Sequence, residues 1–340
     1  MRGVLLLGNR QVLIQDFPDP QPGPRQVVVK MRVAAICGSD LHLYRASPEA
    51  LKWREGLIVG HEPSGDVVAL GEDVRYVKIG DRVAVYHYLG CGHCRYCLGG
   101  YIQWCPERKG YGSHIHGSDA DLLLTNEVNC LVLPPELSYV DGAFIACQAS
   151  TAFSALRKLN PSGSDTLAIF GLGPVGLCGV LIAKALGARV IGVDIVEERL
   201  ELARRLGANE VIHGTQEDVV SRLRALTDGE GPNMALETSG TGTAHQHLID
   251  ALCKGGKAVL VGAGAQEKTV NLTEIIGKQL TLIGSFVSPI NMYWELAAFL
   301  IHHRIPLEAM VTHRFPIEDA SEAFHLADTA RTGKVIFEWK

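Results

Sequence analysis

The sequence predicts an α/β protein built from a doubly wound parallel sheet and a second, strand-rich portion. Three observations carry that expectation. From Asp165 to Ser285, short apolar runs alternate with helical stretches, the rhythm of strands joined by crossover helices. The turn after the first of these strands reads G-x-G-x-x-G, from Gly171, Gly173 and Gly176. From Met1 to about Gly80 the pattern is strand-rich and broken by glycines, as strands joined by tight turns are.

Length and composition narrow the class. A chain of 340 residues is long enough for two cores, and its 32 basic and 37 acidic residues leave a net charge of −5. That balance argues against a nucleic-acid or anionic-membrane surface. The apolar run near Met1 is too short for a signal-peptide core, and the longest apolar stretch, after Pro174, is interrupted by Lys184. Nine cysteines fall in clusters without secretory context, which favours metal ligation over disulfides. The expectation is a cytoplasmic enzyme with a small-molecule substrate.

Taken in order, the clearest early strand is QVVVKMRVAA, Gln26 to Ala35. It runs into ICGSDLH, where Cys37, Ser39, Asp40 and His42 crowd together. The stretch from Gly60 to Val83 opens with His61 and Glu62, a metal-capable pair on a short turn. Next, Cys91, Cys94, Cys97 and Cys105 stand in the spacing C-x2-C-x2-C-x7-C. Four thiolates this close can fill a tetrahedral zinc shell and leave no position for water, so the site reads as structural. An iron–sulfur cluster uses the same ligands. Gly142 to Leu159 then reads as one long helix carrying Cys147 and Thr151.

The second half is more regular. TLAIF is a strand, the glycine turn follows, and a helix begins near Val175. ARVIGVD is the next strand, and four more are expected around Val211, Ala235, Val259 and Leu282. After Ser285 come a helix (Tyr293 to His303), a strand around His313, a helix (Ile317 to Asp328) and a closing strand, VIFEW. In the glycine turn, Gly171 permits the tight bend, Gly173 lets backbone approach a pyrophosphate, and Gly176 allows close helix–strand packing. The N-terminal end of that helix favours phosphate. Asp194 ends the second strand, where its carboxylate can accept from both adenine-ribose hydroxyls and would repel a 2′-phosphate. NAD is therefore expected over NADP.

His61 and Glu62, with Gly65 and Gly71 behind them, together with the Cys37 motif and the four-cysteine lobe, resemble the zinc signatures of the medium-chain alcohol dehydrogenases. The resemblance implies a Rossmann domain and a GroES-like catalytic domain. It divides the chain into a catalytic zinc-binding part (1–150), an NAD-binding part (151–287) and a return to the catalytic domain (288–340). It also implies a catalytic zinc held by Cys37, His61 and Cys147, and a structural zinc held by the four-cysteine lobe. Ser39 and His42 match a proton relay. Asp40 matches a partner of the His61 imidazole, and Glu62 a carboxylate beside the metal.

Cofactor contacts are implied for Thr151, at the nicotinamide, and for Arg199, near the adenosine, while Lys334 matches a basic position facing the pyrophosphate. His87, with Tyr86, Tyr88 and Trp53, is expected to give the substrate cleft polar handles. The activity implied is hydride transfer between a primary or secondary alcohol and NAD, with zinc stabilising the alkoxide, in a homodimer or homotetramer. Polyol and L-threonine-type dehydrogenases of the same family are the alternative, since THRF and the GSF at Gly284 resemble them. Against them stands Cys147, where polyol enzymes tend to carry glutamate. A zinc-ribbon nucleic-acid-binding protein is a remote third reading, opposed by the acidic balance.

Overall fold

The computed structural model describes residues 1–264 and 270–340. It contains two compact units: Met1–Cys147 with Pro289–His302 and Val311–Lys340, and Gln148–Ser288 with His303–Met310.

The second unit is built on a six-stranded sheet. Its strands run in the order Glu210–His213, Arg189–Asp194, Thr166–Phe170, Met234–Glu237, Lys257–Leu260 and Thr281–Gly284. Every neighbouring pair is parallel. These strands read as near-continuous apolar runs because helices cover both faces. Leu167, Ala168, Ile169 and Phe170 are all buried, as are Val190 and Ile191 beside them. The strand order turns back between Thr166–Phe170 and Met234–Glu237, and the glycine turn leaves the first of these strands. Sheets of this kind bind ligands at such a switch point.

The first unit holds a seven-stranded sheet ordered Val311–Phe315, Lys334–Glu338, Gln26–Ala35, Pro63–Leu70, Arg82–Val85 and Cys130–Val132, with Leu122–Asn126 also pairing with Gln26–Ala35. The closing strand of the chain is thus stitched antiparallel to an early one, Ile336 opposite Ala35. Val27, Val29, Met31, Val67, Val83 and Val85 form one core beneath this sheet. Tyr44, Phe324 and Phe337 anchor another, where the late helix Ala320–Asp328 packs.

One expectation is corrected. The stretch expected to be a single helix from Gly142 to Leu159 is two, Tyr139–Ala146 and Gln148–Leu159. Cys147 stands between them with φ −142 and ψ −79, outside the helical region. Apolar periodicity continues across the joint, so the pattern alone cannot reveal a one-residue break. No helix among the described residues is long and apolar enough to cross a membrane.

Candidate active site

Three short pieces of the first unit converge on one cluster. The strand Gln26–Ala35 ends just before Cys37, which is the N-cap of the helix Gly38–Arg45. Asp40, at the third position of that helix, accepts a hydrogen bond from the Cys37 N–H through Oδ2 (2.9 Å). Its Oδ1 accepts from His61 Nδ1 at 3.2 Å. His61 and Glu62 follow Gly60, whose φ of +94 suits glycine and whose missing Cβ would lie 2.0 Å from Asp119 Oδ1. Cys147 comes from the helix break. The ligand atoms of Cys37, His61, Glu62 and Cys147 all lie within 4.8 Å of one another.

The donor set fits zinc. Two thiols and an imidazole are soft and borderline ligands, and a carboxylate is within reach as a fourth. Asp40 engages Nδ1 of His61, so Nε2 is the nitrogen that would ligate a metal. The Cys37 thiol is held well below its ordinary value by the hydrogen bond from Cys147, helped by the neighbouring His61 and Lys334. A low thiol pKa supplies the thiolate a metal needs.

Around the cluster, Ser39 Oγ lies 3.5 Å from His61 Nε2, and both Ser39 and His42 are exposed on the helix Gly38–Arg45. Glu62 is fully buried, and its Oε2 is 2.6 Å from Lys334 Nζ. Burial pushes the Glu62 carboxyl up to about 8, against the pull of the Lys334 ammonium. Lys334, which the resemblance places facing a pyrophosphate, pairs with this carboxylate in the structure. His87 is 4 % exposed, and its ring packs edge-on to that of His61, with centroids 5.8 Å apart. Burial, with His61 nearby, lowers His87 to about 4. Asp119 is fully buried, and its Oδ2 has no hydrogen-bond partner among the described residues. Burial holds it well above the usual carboxylate range. Neither this carboxyl nor the Lys334–Glu62 pair had a legible signal in the sequence.

The second cluster is local in sequence. The sulfurs of Cys91, Cys94, Cys97 and Cys105 lie within 4.8 Å of one another, with Cys91 and Cys97 4.0 Å apart. A tetrahedron with zinc–sulfur bonds of about 2.3 Å has sulfurs spaced about 3.8 Å apart, close to that separation. Backbone N–H groups point at the sulfurs, from Cys94 to Cys91 Sγ (3.4 Å) and from Cys97 to Cys94 Sγ (3.5 Å). The Cys97 N–H brings the Cys94 thiol down to about 7. Gly90 is required because a Cβ there would sit 2.5 Å from Cys97 Sγ.

In the second unit the glycine turn has the geometry of a phosphate cradle. Gly171 has φ +88, and a Cβ on Gly176 would lie 1.9 Å from Gly171 O. A Cβ on Gly173 would meet nothing within 4 Å, which leaves open space over that backbone. Gly173 caps the helix Pro174–Ala185, and Val175 and Gly176 lie in its first turn, where N–H groups have no partner within the helix. Asp194 Oδ2 accepts from Leu172 N (2.6 Å), while Oδ1 accepts from Ile195 N (2.7 Å) and Val196 N (3.0 Å). The carboxylate therefore braces the turn from below, a role the sequence did not reveal. Both lone pairs of Oδ1 are taken by these bonds, and Oδ2 keeps one for a further donor. Arg199 is half-buried on the next helix, and Thr151 is buried on Gln148–Leu159.

A sheet of this order with a glycine-lined switch point, and a unit carrying two metal-capable clusters, define a zinc-dependent oxidoreductase. Residues 23–135 match the alcohol dehydrogenase GroES-like domain, and residues 174–302 match the zinc-binding dehydrogenase domain. The chain is 36% identical to an uncharacterized zinc-type alcohol dehydrogenase-like protein of Escherichia coli K12, over 100% of this chain and 99% of that one. It is 32% identical to an L-threonine 3-dehydrogenase of Shewanella sp. MR-7, over 98% of each. The solved alcohol dehydrogenase of Thermus sp. ATN1 superposes with a TM-score of 0.92 at 31% identity, covering both chains fully. The chain belongs to the zinc-type alcohol dehydrogenase family.

Proposed function

We propose that this enzyme oxidises the CH–OH group of a small primary or secondary alcohol with NAD, using a catalytic zinc held by Cys37, His61 and Cys147. A structural zinc belongs to Cys91, Cys94, Cys97 and Cys105. The first unit is the catalytic, zinc-binding domain and the second the NAD-binding domain. The observation that carries this reading is the meeting of Cys37, His61, Glu62 and Cys147, distant in sequence, within 4.8 Å. When bound, zinc supplies a Lewis acid that lowers the pKa of a coordinated hydroxyl, and NAD supplies the hydride acceptor.

The chain's own residues do the rest. Ser39, exposed and 3.5 Å from His61 Nε2, stands where a hydroxyl can take the proton an alcohol gives up. His42, three residues on and on the same helix face, is exposed to solvent and can carry that proton outward. Asp40 fixes the His61 tautomer and ties the backbone of Cys37 to the same carboxylate. Glu62, whose carboxyl burial pushes up to about 8 even beside Lys334, keeps a buried acid group next to the thiols. Asp194 favours NAD over NADP by offering Oδ2 as an acceptor where a 2′-phosphate would bring more negative charge.

A polyol or threonine-like substrate is the second reading, favoured by the 32% identity to an L-threonine 3-dehydrogenase. NAD reduction with butan-2-ol, a sorbitol-like polyol and threonine, combined with metal counting, tests both. Two zinc ions per chain and NAD-dependent oxidation of at least one alcohol are expected. A protein with both zinc ions that reduces NAD with none of the panel would refute the assignment.

A further inference from the structure

We propose that His87 is a specificity-determining residue, whose Nε2 accepts a hydrogen bond from a hydroxyl or ammonium group on the carbon next to the one being oxidised. The inference rests on the dehydrogenase reading above and concerns which alcohols that site prefers.

The geometry begins with the backbone. His87 lies between the strands Arg82–Val85 and Tyr88–Leu89, and one buried side chain fixes the chain on either side of it. Asn129 Nδ2 donates to Tyr86 O at 2.9 Å and to Tyr88 O at 2.7 Å. The His87 ring is then held from three directions. Tyr86 stacks on it at 5.2 Å, Tyr88 lies against it at 4.6 Å, and Nδ1 donates to the carbonyl of Ala146 at 2.5 Å.

That last bond decides the chemistry. A carbonyl can only accept, so Nδ1 carries the proton. The ring is buried and has no carboxylate partner among the described residues, so it is neutral. Nε2 is then a bare lone pair with no hydrogen-bond partner among the described residues. A ligand that covers this lone pair strips it of water, so one that brings a donor is favoured over one that does not.

Its location says which donor. The ring sits edge-on to that of His61 at 5.8 Å, and the carbonyl that orients it belongs to the residue before Cys147. An alcohol whose reacting oxygen is at the Cys37–His61–Cys147 cluster would bring its neighbouring carbon under this ring. A vicinal hydroxyl and a vicinal ammonium both supply the donor. An ether oxygen at the same place does not.

The experiment compares kcat/KM for NAD reduction with butan-2-ol, butane-2,3-diol, 3-aminobutan-2-ol and 3-methoxybutan-2-ol, using the zinc-loaded protein and its H87L and H87Q variants. The wild type should prefer the diol, the amino alcohol or both over butan-2-ol by about tenfold or more, with the methoxy compound no better than butan-2-ol. The arm that wins identifies the donor. H87L should bring that ratio towards one, and H87Q, which keeps an acceptor, should restore part of it. A second reading of the site comes from 15N NMR of the His87 ring, which should show a protonated Nδ1 and a bare Nε2.

A wild type indifferent to the vicinal donor, or equally active with the methoxy compound, overturns the proposal whether or not the variants fold. So does an unchanged ratio in H87L, or a protonated Nε2. NAD reduction with these failures sinks the role of His87 alone, whereas no NAD reduction with any alcohol sinks the dehydrogenase assignment beneath it.

Discussion

Lys334 Nζ lies 2.6 Å from Glu62 Oε2, and the two side chains are 1% and 0% exposed. The pair joins the closing strand of the chain to the turn that presents His61. Replacing Lys334 with Met should destabilise the protein by about 3–5 kcal/mol, since the buried Glu62 carboxyl loses its ion pair. The double replacement K334M/E62M should recover most of that loss. Denaturant unfolding of the three proteins, each with its zinc content measured, checks this. A double variant as unstable as K334M would mean that packing, and not charge pairing, sets the cost.

Asp40 offers a second test, because one carboxylate serves two residues of the metal cluster. D40N keeps the size of the side chain and removes the charge that holds the Nδ1–H tautomer of His61. Loss of such a partner typically weakens a metal site about 10–100-fold. The expected result is that a competing chelator removes one zinc from D40N more readily than from the parent. The zinc of the four-cysteine lobe should be unaffected, which makes it an internal control.

The fold was largely legible in the sequence because its signals are local. The six strands of the parallel sheet announce themselves as apolar runs buried on both faces, and the glycine turn follows the first of them directly. The four-cysteine lobe was legible for the same reason, its ligands lying within one short stretch. What was not legible depends on pairings between distant residues. Nothing in TGKVIF says that Lys334 meets Glu62, because that contact exists only once the last strand has paired with Gln26–Ala35. The break at Cys147 was hidden too, since one nonhelical residue leaves the apolar spacing on either side unchanged. Its neighbour Ala146 gives its carbonyl to His87, a partner supplied by tertiary structure.

Asp328 predicts how stability should vary with pH. It is 10% exposed and pairs with Arg10, through Nε at 2.8 Å, and with Arg45. Burial alone would raise this carboxyl, but the two guanidinium groups outweigh it and hold the group below its ordinary value. A carboxylate depressed in the folded state adds stability above the unfolded pKa, and that contribution fades as pH falls through the folded value. Both arginines are well exposed, so the contribution is screened to about 1 kcal/mol. The gap in unfolding free energy between the parent and D328N should therefore be full at pH 7 and shrink below about pH 4. A gap that widens on acidification would reverse the sign argued here.

Two glycines of the same turn should respond differently to one methyl group. A Cβ on Gly176 would fall 1.9 Å from Gly171 O, so G176A must push backbone apart even in the empty protein. A Cβ on Gly173 would meet nothing within 4 Å, and its φ of −67 with ψ of −177 is open to alanine. Alanine is a poorer N-cap than glycine, but it also restricts the unfolded chain, and the two effects leave a net change within about 1 kcal/mol. G173A should therefore unfold close to the parent while binding NAD about tenfold more weakly, because the new methyl occupies the space where a pyrophosphate approaches backbone. G176A should lose both stability and NAD affinity. Thermal unfolding without NAD, beside NAD titration by fluorescence, separates the two. If G173A bound NAD as tightly as the parent, the open space over Gly173 would not be where the dinucleotide lies.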